Sequence, residues 1–307
     1  MLECQFLIIV FLNYSVRGQI LKIKLTVTII TLNEEYNIRR CIESVQNIAD
    51  EIIVVDSGST DKTEAIVKEL GATFIYNQWP GHKEQKNFAI EKASSKWILS
   101  LDADEWIDEG LELEIKSILT DLASPVCKVS DDACKVFDDL SYNDSCFAYE
   151  IDRKTMFLGK FVKVWSPDWI IRLFRKDCGF FGGTNPHDLV VLNDGGHKKR
   201  LSNSLFHESY RNLDQFFLRN MSYSSIAAAA MRKKGRKFSF MKLIFSPQWA
   251  FFKKLFIKGA WKDGFRGLII SVTTFFYVFA KYAILWDLEK HEKGGDSGLV
   301  SVEHMFR

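Results

Sequence analysis

The stretch LTVTIITL, residues 25–32, carries no charge and is dominated by β-branched side chains. A short continuous apolar run of this kind reads as a strand buried on both faces. Working outward, residues 37–48 place Ile38, Cys41, Ile42, Val45 and Ile48 on one helical face. A second strand, 51–55, ends at Asp56. The following SGSTDKT supplies a turn and a helix start, with Ser59, Thr60 or Asp61 as cap. Ala65, Ile66 and Leu70 give that helix its apolar face. A third strand covers 73–76, a helix 83–93, and a fourth strand 97–101, which runs into Asp102-Ala103-Asp104-Glu105.

Strand and helix alternate, which predicts an α/β fold with a mostly parallel sheet flanked by helices. In such sheets ligands bind beyond the carboxyl ends of the strands. Three polar strand ends converge there: 31–34, 56–59 and 102–104. Farther along, the pattern predicts a helix over 110–122 and an acidic, turn-rich insertion over 124–145. A β-like region follows over 147–175, then a glycine-rich loop over 179–188 (GFFGGTNPHD) and a helix over 213–230.

The chemistry centres on Asp102-x-Asp104. A divalent cation, Mg²⁺ or Mn²⁺, takes oxygen ligands from one or two carboxylates plus substrate phosphates. Taken alone, the pair also reads as a solvated acidic turn. Its place at the end of an apolar strand, level with two other polar strand ends, favours the metal role. Asp56 can accept a hydrogen bond from a base N–H or a ribose hydroxyl, or cap the next helix, although Asp61 suits capping better. Lys83 and Lys86, in HKEQKN, can reach phosphates as point charges or lie on a solvated face.

These residues resemble the family-2 glycosyltransferases with the GT-A fold. The dense part of the likeness is TIITLNEE, IIVVDSGSTDKT, QKNFAI and WILSLDADE, and covers residues 22–108. A thinner part runs through IIRLFR (170–175), PHD (186–188), FHESY (206–210) and DGFRGLIIS (263–271). Within the family the chain is most similar to lipopolysaccharide core β-1,4-glucosyltransferases. The resemblance implies a nucleotide pocket lined by Thr31 and Glu34, a base held by Asp56, and a donor bound with help from Lys86. It makes Asp102 and Asp104 the ribose and metal carboxylates, with Asp104 the direct ligand. It also implies an inverting displacement with a carboxylate base from the second half of the domain. Where relatives read His-Glu this chain reads His187-Asp188, so Asp188 is the expected base and Glu105 the reserve. His207 is either a late metal ligand or a structural histidine, and Arg172 either binds phosphate or forms a salt bridge.

The net charge of +2 hides an asymmetry. Residues 231–266 hold eleven Lys/Arg and one acid, Asp263, so this segment is +10 and the rest of the chain −8. Residues 238–286 hold fifteen aromatics, interleaved with Lys242, Lys253, Lys254, Lys258, Lys262 and Arg266. Cations among aromatics on amphipathic helices suit the surface of an anionic bilayer. The uncharged run 267–280 is shorter than the about twenty residues a span needs. The helices are therefore expected in the interface, with a span or a buried hairpin as alternatives. No helix-turn-helix, zinc-finger or RNP pattern accompanies the basic block, so no nucleic-acid partner is expected.

The expected organisation is an N-terminal extension (1–21), a catalytic domain (22–230), basic aromatic helices (231–290) and a tail (291–307). The six cysteines show no CxxC pair and read as free thiols. The expected activity, following the resemblance, is transfer of a hexose, glucose from UDP-glucose, to a lipid-linked saccharide at the cytoplasmic face of a bacterial inner membrane. A polyprenyl-phosphate glycosyltransferase is the nearest alternative, and an inactive membrane-bound assembly partner the non-enzymatic one. A dehydrogenase is excluded because G-x-G-x-x-G is absent.

Overall fold

The computed structural model describes residues 24–123, 147–184, 187–193, 196–210 and 212–293. The expected N-terminal extension, the acidic insertion and the end of the tail lie outside these residues. The chain divides into two compact units: residues 1–152 with 169–205, and residues 153–168 with 206–307.

The first unit opens with β1 (Leu25–Thr31), α1 (Ile38–Val45), β2 (Glu51–Asp56), α2 (Thr63–Glu69), β3 (Thr73–Tyr76), α3 (His82–Lys92) and β4 (Trp97–Asp102). It continues through β5 (Glu105–Trp106), α4 (Glu109–Ala123), β6 (Phe147–Phe157), β8 (Trp169–Arg175), β9 (Gly179–Thr184), β10 (His187–Leu192) and β11 (His197–Tyr210), the last residues of β6 and β11 belonging to the second unit. The sheet runs β3-β2-β1-β4-β8-β6-β11-β5. Its first four strands are parallel, and β8 joins β4 antiparallel. The chain leaves β1 for β2 on one side and returns to β4 on the other, so the switch in strand order falls at β1, where crevices open in sheets of this kind.

Period-2 alternation sorts the core into two layers. Leu25, Val27 and Ile29 of β1 and Trp97, Leu99 and Leu101 of β4 pack with Ile38, Cys41, Ile42 and Val45 of α1 and Leu111 and Ile115 of α4. On the other face Ile53, Val55, Ile98 and Phe174 meet Ala89 and Ile90 of α3. β1 is buried along its whole length, as its composition predicts.

The glycine-rich segment corrects the expectation of a loop: it forms the hairpin β9–β10. Phe181 and Val190 are buried against Ile98 and Phe174, which turns period-2 apolar positions into strands. A Cβ on Gly182 would sit 2.7 Å from Val191 Cγ2, so the glycine makes room for a cross-strand neighbour and does not mark a loop.

The second unit contains β7 (Lys160–Phe161), paired with the end of β6, and three helices: α5 (Leu213–Lys233), α6 (Phe240–Phe252) and α7 (Gly264–Lys293). Asn212 caps α5 by accepting the Gln215 N–H. A π turn (Lys253–Ile257) and a 3₁₀ turn (Ala260–Asp263) link α6 to α7. The DGFR stretch is an anchor. The Asp263 carboxylate accepts the N–H groups of Lys163 and Val164, and the Arg266 guanidinium donates to the carbonyls of Phe157 and Leu158. Phe157, Val162, Val164, Phe216, Ala260 and Ile270 form the core beside it. Residues Ala260–His291 are long and apolar enough to cross a membrane by length and composition, yet only 22% of their most apolar window is buried.

Candidate active site

The site lies at the carboxyl ends of β1, β2 and β4. Registry aligns Thr31 with Asp56 and Ile30 with Asp102, which brings the three polar strand ends side by side. Asp56 is buried, and its Oδ1 accepts the N–H groups of Gly58 and Ser59, both at 2.7 Å. The Ser59 hydroxyl donates to its other oxygen. Gly58, at φ 108°, lets the backbone fold back onto the carboxylate. Asp56 thus closes its own loop. Asp61 receives the Thr63 N–H at the start of α2, the role expected of it. Burial alone would raise the Asp61 pKa, but donation from the Thr63 hydroxyl and from the N–H groups of Thr63 and Glu35 outweighs it and holds the carboxyl below the usual range.

The loops after β1 and β2 are zipped together. Asn33 accepts the Thr60 N–H and donates its own N–H to Ser59 Oγ. The Glu34 N–H donates to Thr63 Oγ1, and the Glu34 carboxylate accepts from the Asn37 amide. Thr31 Oγ1 is buried without a hydrogen-bond partner, a polar group left over at the crevice end of β1.

Three consecutive residues of α3 organise the rest. The Gln85 amide, fully buried, donates to Ser57 Oγ and to the Asn77 carbonyl. Lys86 Nζ lies 2.9 Å from Asp102 Oδ1 and 2.9 Å from Asp188 Oδ2. The contact with Asp102 is an ion pair without hydrogen-bond geometry. Asn87 pairs with the backbone of Phe181 in both directions, at 2.8 and 2.9 Å, which docks the hairpin carrying Asp188. QKNFAI therefore positions the β2 loop, the β4 end and the β9–β10 hairpin from one helical turn.

A second cation completes the cluster. Arg172 of β8 donates to Asp102 Oδ2 at 2.8 Å and to Glu105 Oε1 at 2.6 Å. Burial works against its charge, but Glu105 and Asp102 more than compensate and raise its pKa above the ordinary arginine value. The other Glu105 oxygen accepts the Asp102 N–H. Glu105 is fully buried, so it has no exposed oxygen to offer an acceptor hydroxyl, and the reserve assignment as base fails on access. Arg172 takes the salt-bridge role. The sequence hinted at both through IIRLFR and DADE, but a partnership 67 residues apart carries no local signal.

Cys41 donates through Sγ to the Asp102 carbonyl. Burial first, then Glu105, Asp104 and Asp102, push its thiol well above the ordinary range, so it stays protonated. Cys41 and Cys178 are buried thiols. His207, in the second unit, lies 2.7 Å from Ser209 Oγ and 3.3 Å from Thr155 Oγ1.

Among the described residues no group of three or more His, Cys, Asp or Glu side chains is arranged to hold a metal ion. Both Asp102 oxygens already face cations. Asp104 is half-buried beside them. A hard cation held here by Asp102 and Asp104 would need the rest of its shell from substrate oxygens.

A sequence profile described as Glycosyl transferase family 2 matches residues 26–177. The chain is 34% identical over 275 residues to the uncharacterized glycosyltransferase RT0209 of Rickettsia typhi, covering 86% of this chain and 87% of that protein. It is 29% identical over 275 residues to the lipopolysaccharide core biosynthesis glycosyltransferase LpsC of Rhizobium meliloti, covering 86% and 93%. A glucosyl-3-phosphoglycerate synthase from Mycobacterium tuberculosis, solved with Mn²⁺, UDP and glucosyl-3-phosphoglycerate, is 30% identical over 27% of this chain and 34% of that one. Its TM-score is 0.25, so the likeness says nothing about the shape of this chain.

Proposed function

Because the chain belongs to the family 2 glycosyl transferases, we propose that it moves a hexose from a nucleotide-sugar donor, UDP-glucose, to a lipid-linked saccharide such as the lipopolysaccharide inner core, with inversion. The observation that carries this reading is the cluster in which Lys86 joins Asp102 to Asp188 at the carboxyl ends of the parallel strands. The near full-length likeness to a lipopolysaccharide core enzyme supports the acceptor class.

Thr31, Glu34 and Asp56 line the nucleotide end of the crevice, with the unpartnered Thr31 hydroxyl available to shape it. Asp104, with Asp102, would hold Mg²⁺ or Mn²⁺. Such an ion would act as a Lewis acid toward the departing diphosphate. Lys86 is a buried cation shared by two carboxylates. When a diphosphate enters, its ammonium can exchange Asp188 for phosphate oxygen, which uncovers Asp188 as the base for the acceptor hydroxyl. Arg172 keeps Asp102 oriented from below. Donor and acceptor held in line lower the entropic part of the barrier. The proposed acceptor class and the basic aromatic helices support work at the cytoplasmic face of a bacterial inner membrane.

The test is thermal stabilisation of the purified chain by a panel of nucleotide sugars with and without Mn²⁺, followed by a transfer assay on lipid-linked core saccharide. A Mn²⁺-dependent shift with UDP-glucose, lost in Asp104→Asn, is expected. Asp188→Asn should keep the shift and lose about 10²–10⁴-fold in transfer, the range of general-base catalysis. A folded sample that no nucleotide sugar stabilises would sink the proposal.

A further inference from the structure

The second unit carries a surface that the transfer chemistry does not use. On α6, Phe240, Met241, Ile244, Phe245 and Trp249 are exposed, and on α7 so are Phe265, Leu268, Val272, Phe276 and Phe279. The α7 set recurs every three or four residues and forms one stripe. Phe265 is 75% exposed and Phe276 55%, while Ser271 and Thr273 of the same helix are buried. Their hydroxyls return to the carbonyls of Gly267 and Ile269, four residues back. Carbon faces out and hydroxyls face in, the reverse of a helix whose outer face meets water.

We infer that α6 and α7 seat this face in one leaflet of an anionic bilayer, lying in its plane and not crossing it. This deepens the membrane reading above and rests on it only for its purpose. Charge complementarity names the occupant. Lys242, Lys253, Lys254, Lys258 and Lys262 border the apolar face, while Arg266 is held by the Phe157 and Leu158 carbonyls and the carboxylate of Asp263, the acid among them, is taken by the Lys163 and Val164 N–H groups. Each such cation near an anionic surface adds to the attraction. Trp249 and Trp261, both more than half exposed, have the amphipathic rings that settle at headgroup depth. A groove of 360 Å³ between the helices, lined by Gln248, Phe251, Phe252, Val272, Phe275 and Phe276, opens without a charged residue in its wall, as acyl carbons require.

Three features oppose a span, although Ala260–His291 meets the length and composition for one. The uncharged stretches are residues 243–252 and 267–280, about 15 and 21 Å at 1.5 Å per residue, against a hydrocarbon core of about 30 Å. If α6 and α7 crossed as a pair, the turn between them would have to carry its cluster of lysines through that core. Finally, α5 lies against α7, with Phe216 packed beside Ile270, Ser224 Oγ donating to the Tyr277 carbonyl, and Arg232 paired with Glu289. A crossing α7 would drag Asp214, Arg219 and Asn220 of α5 to membrane depth.

The full chain should co-sediment with vesicles containing anionic phospholipid, weakly with zwitterionic vesicles, and less in high salt. The triple variant Phe245→Ser, Trp249→Ser and Phe276→Ser should melt at the parental temperature and lose about tenfold or more in vesicle partitioning, since apolar area and charge act together. Lys258→Cys and Lys290→Cys, towards the two ends of α7, should both react with an impermeant maleimide from one side of sealed inverted membrane vesicles. Labelling of only one of them would establish a span and overturn the inference. So would parental binding by the triple variant, or a parental dimer that the variant dissolves while the parent ignores vesicles. Donor-induced thermal stabilisation, measured on the same samples, reports on glycosyl transfer independently of either result.

Discussion

In the first unit, β1 buries every side chain from Leu25 to Thr31, and even Gln85, Lys86, Glu105 and Arg172 are withdrawn from solvent with partners around them. In the second, α7 exposes Phe265, Leu268, Val272, Phe276 and Phe279 and buries Ser271 and Thr273. Similar residue types are sorted in opposite directions. Around the strand ends, burying charge is tolerated because each ion meets a counter-ion and preorganises a polar crevice. Along α7, exposing carbon is tolerable only where the surroundings are not water. The first sorting suits a site for a charged donor, and the second suits the lipid contact proposed above.

The strongest way to break this contrast is Arg172→Met. It leaves Glu105 buried opposite no cation and should cost about 3–5 kcal/mol of stability. Adding Glu105→Gln should recover part of the loss, read by denaturant melts. Failure to destabilise would mean that the buried ions are not held in balance. A matched pair sharpens the comparison next. Leu99→Ala, in the first core, should cost about 2–5 kcal/mol. Phe276→Ser should stay within about 0.5 kcal/mol of the parent in detergent-free buffer, because its ring leaves little protein contact behind. Equal losses would show that the exposed stripe is core in solution.

The smallest effect concerns pH. Glu114 of α4 accepts the N–H groups of Ser202 and Asn203 and the Asn203 amide. Burial would raise its pKa, but these donors outweigh it and the folded value lies below the ordinary one. A depressed carboxylate contributes in full above the unfolded value, about 4.3. The contribution disappears as pH falls through the lower folded value. Glu114→Gln should therefore lower stability slightly at neutral pH, converge with the parent at low pH, and so flatten the acid limb of the stability profile. An unaltered acid limb would remove Glu114 from the account.

The parallel half of the sheet was legible because β1, β2 and β4 are buried on both faces and so are written as uncharged β-branched runs. The polar strand ends were legible for the complementary reason: a carboxylate directly after such a run has few places to go except the crevice. The basic aromatic composition of the tail was legible too, and it suits the anionic bilayer proposed as its partner. Tertiary structure decided the rest. It turned GFFGGTNPHD into a hairpin, because opposing valines fill the space that glycines leave and the Phe181 side chain needs a core. It closed Glu105 to substrate by placing Arg172 beside it, and tied Asp188 to Lys86 across 102 residues. Sequence periodicity records which face of an element is apolar, since that is a property of neighbours along the chain. Which cation neutralises which carboxylate, and whether an apolar face meets protein or lipid, depends on distances set only when remote segments pack.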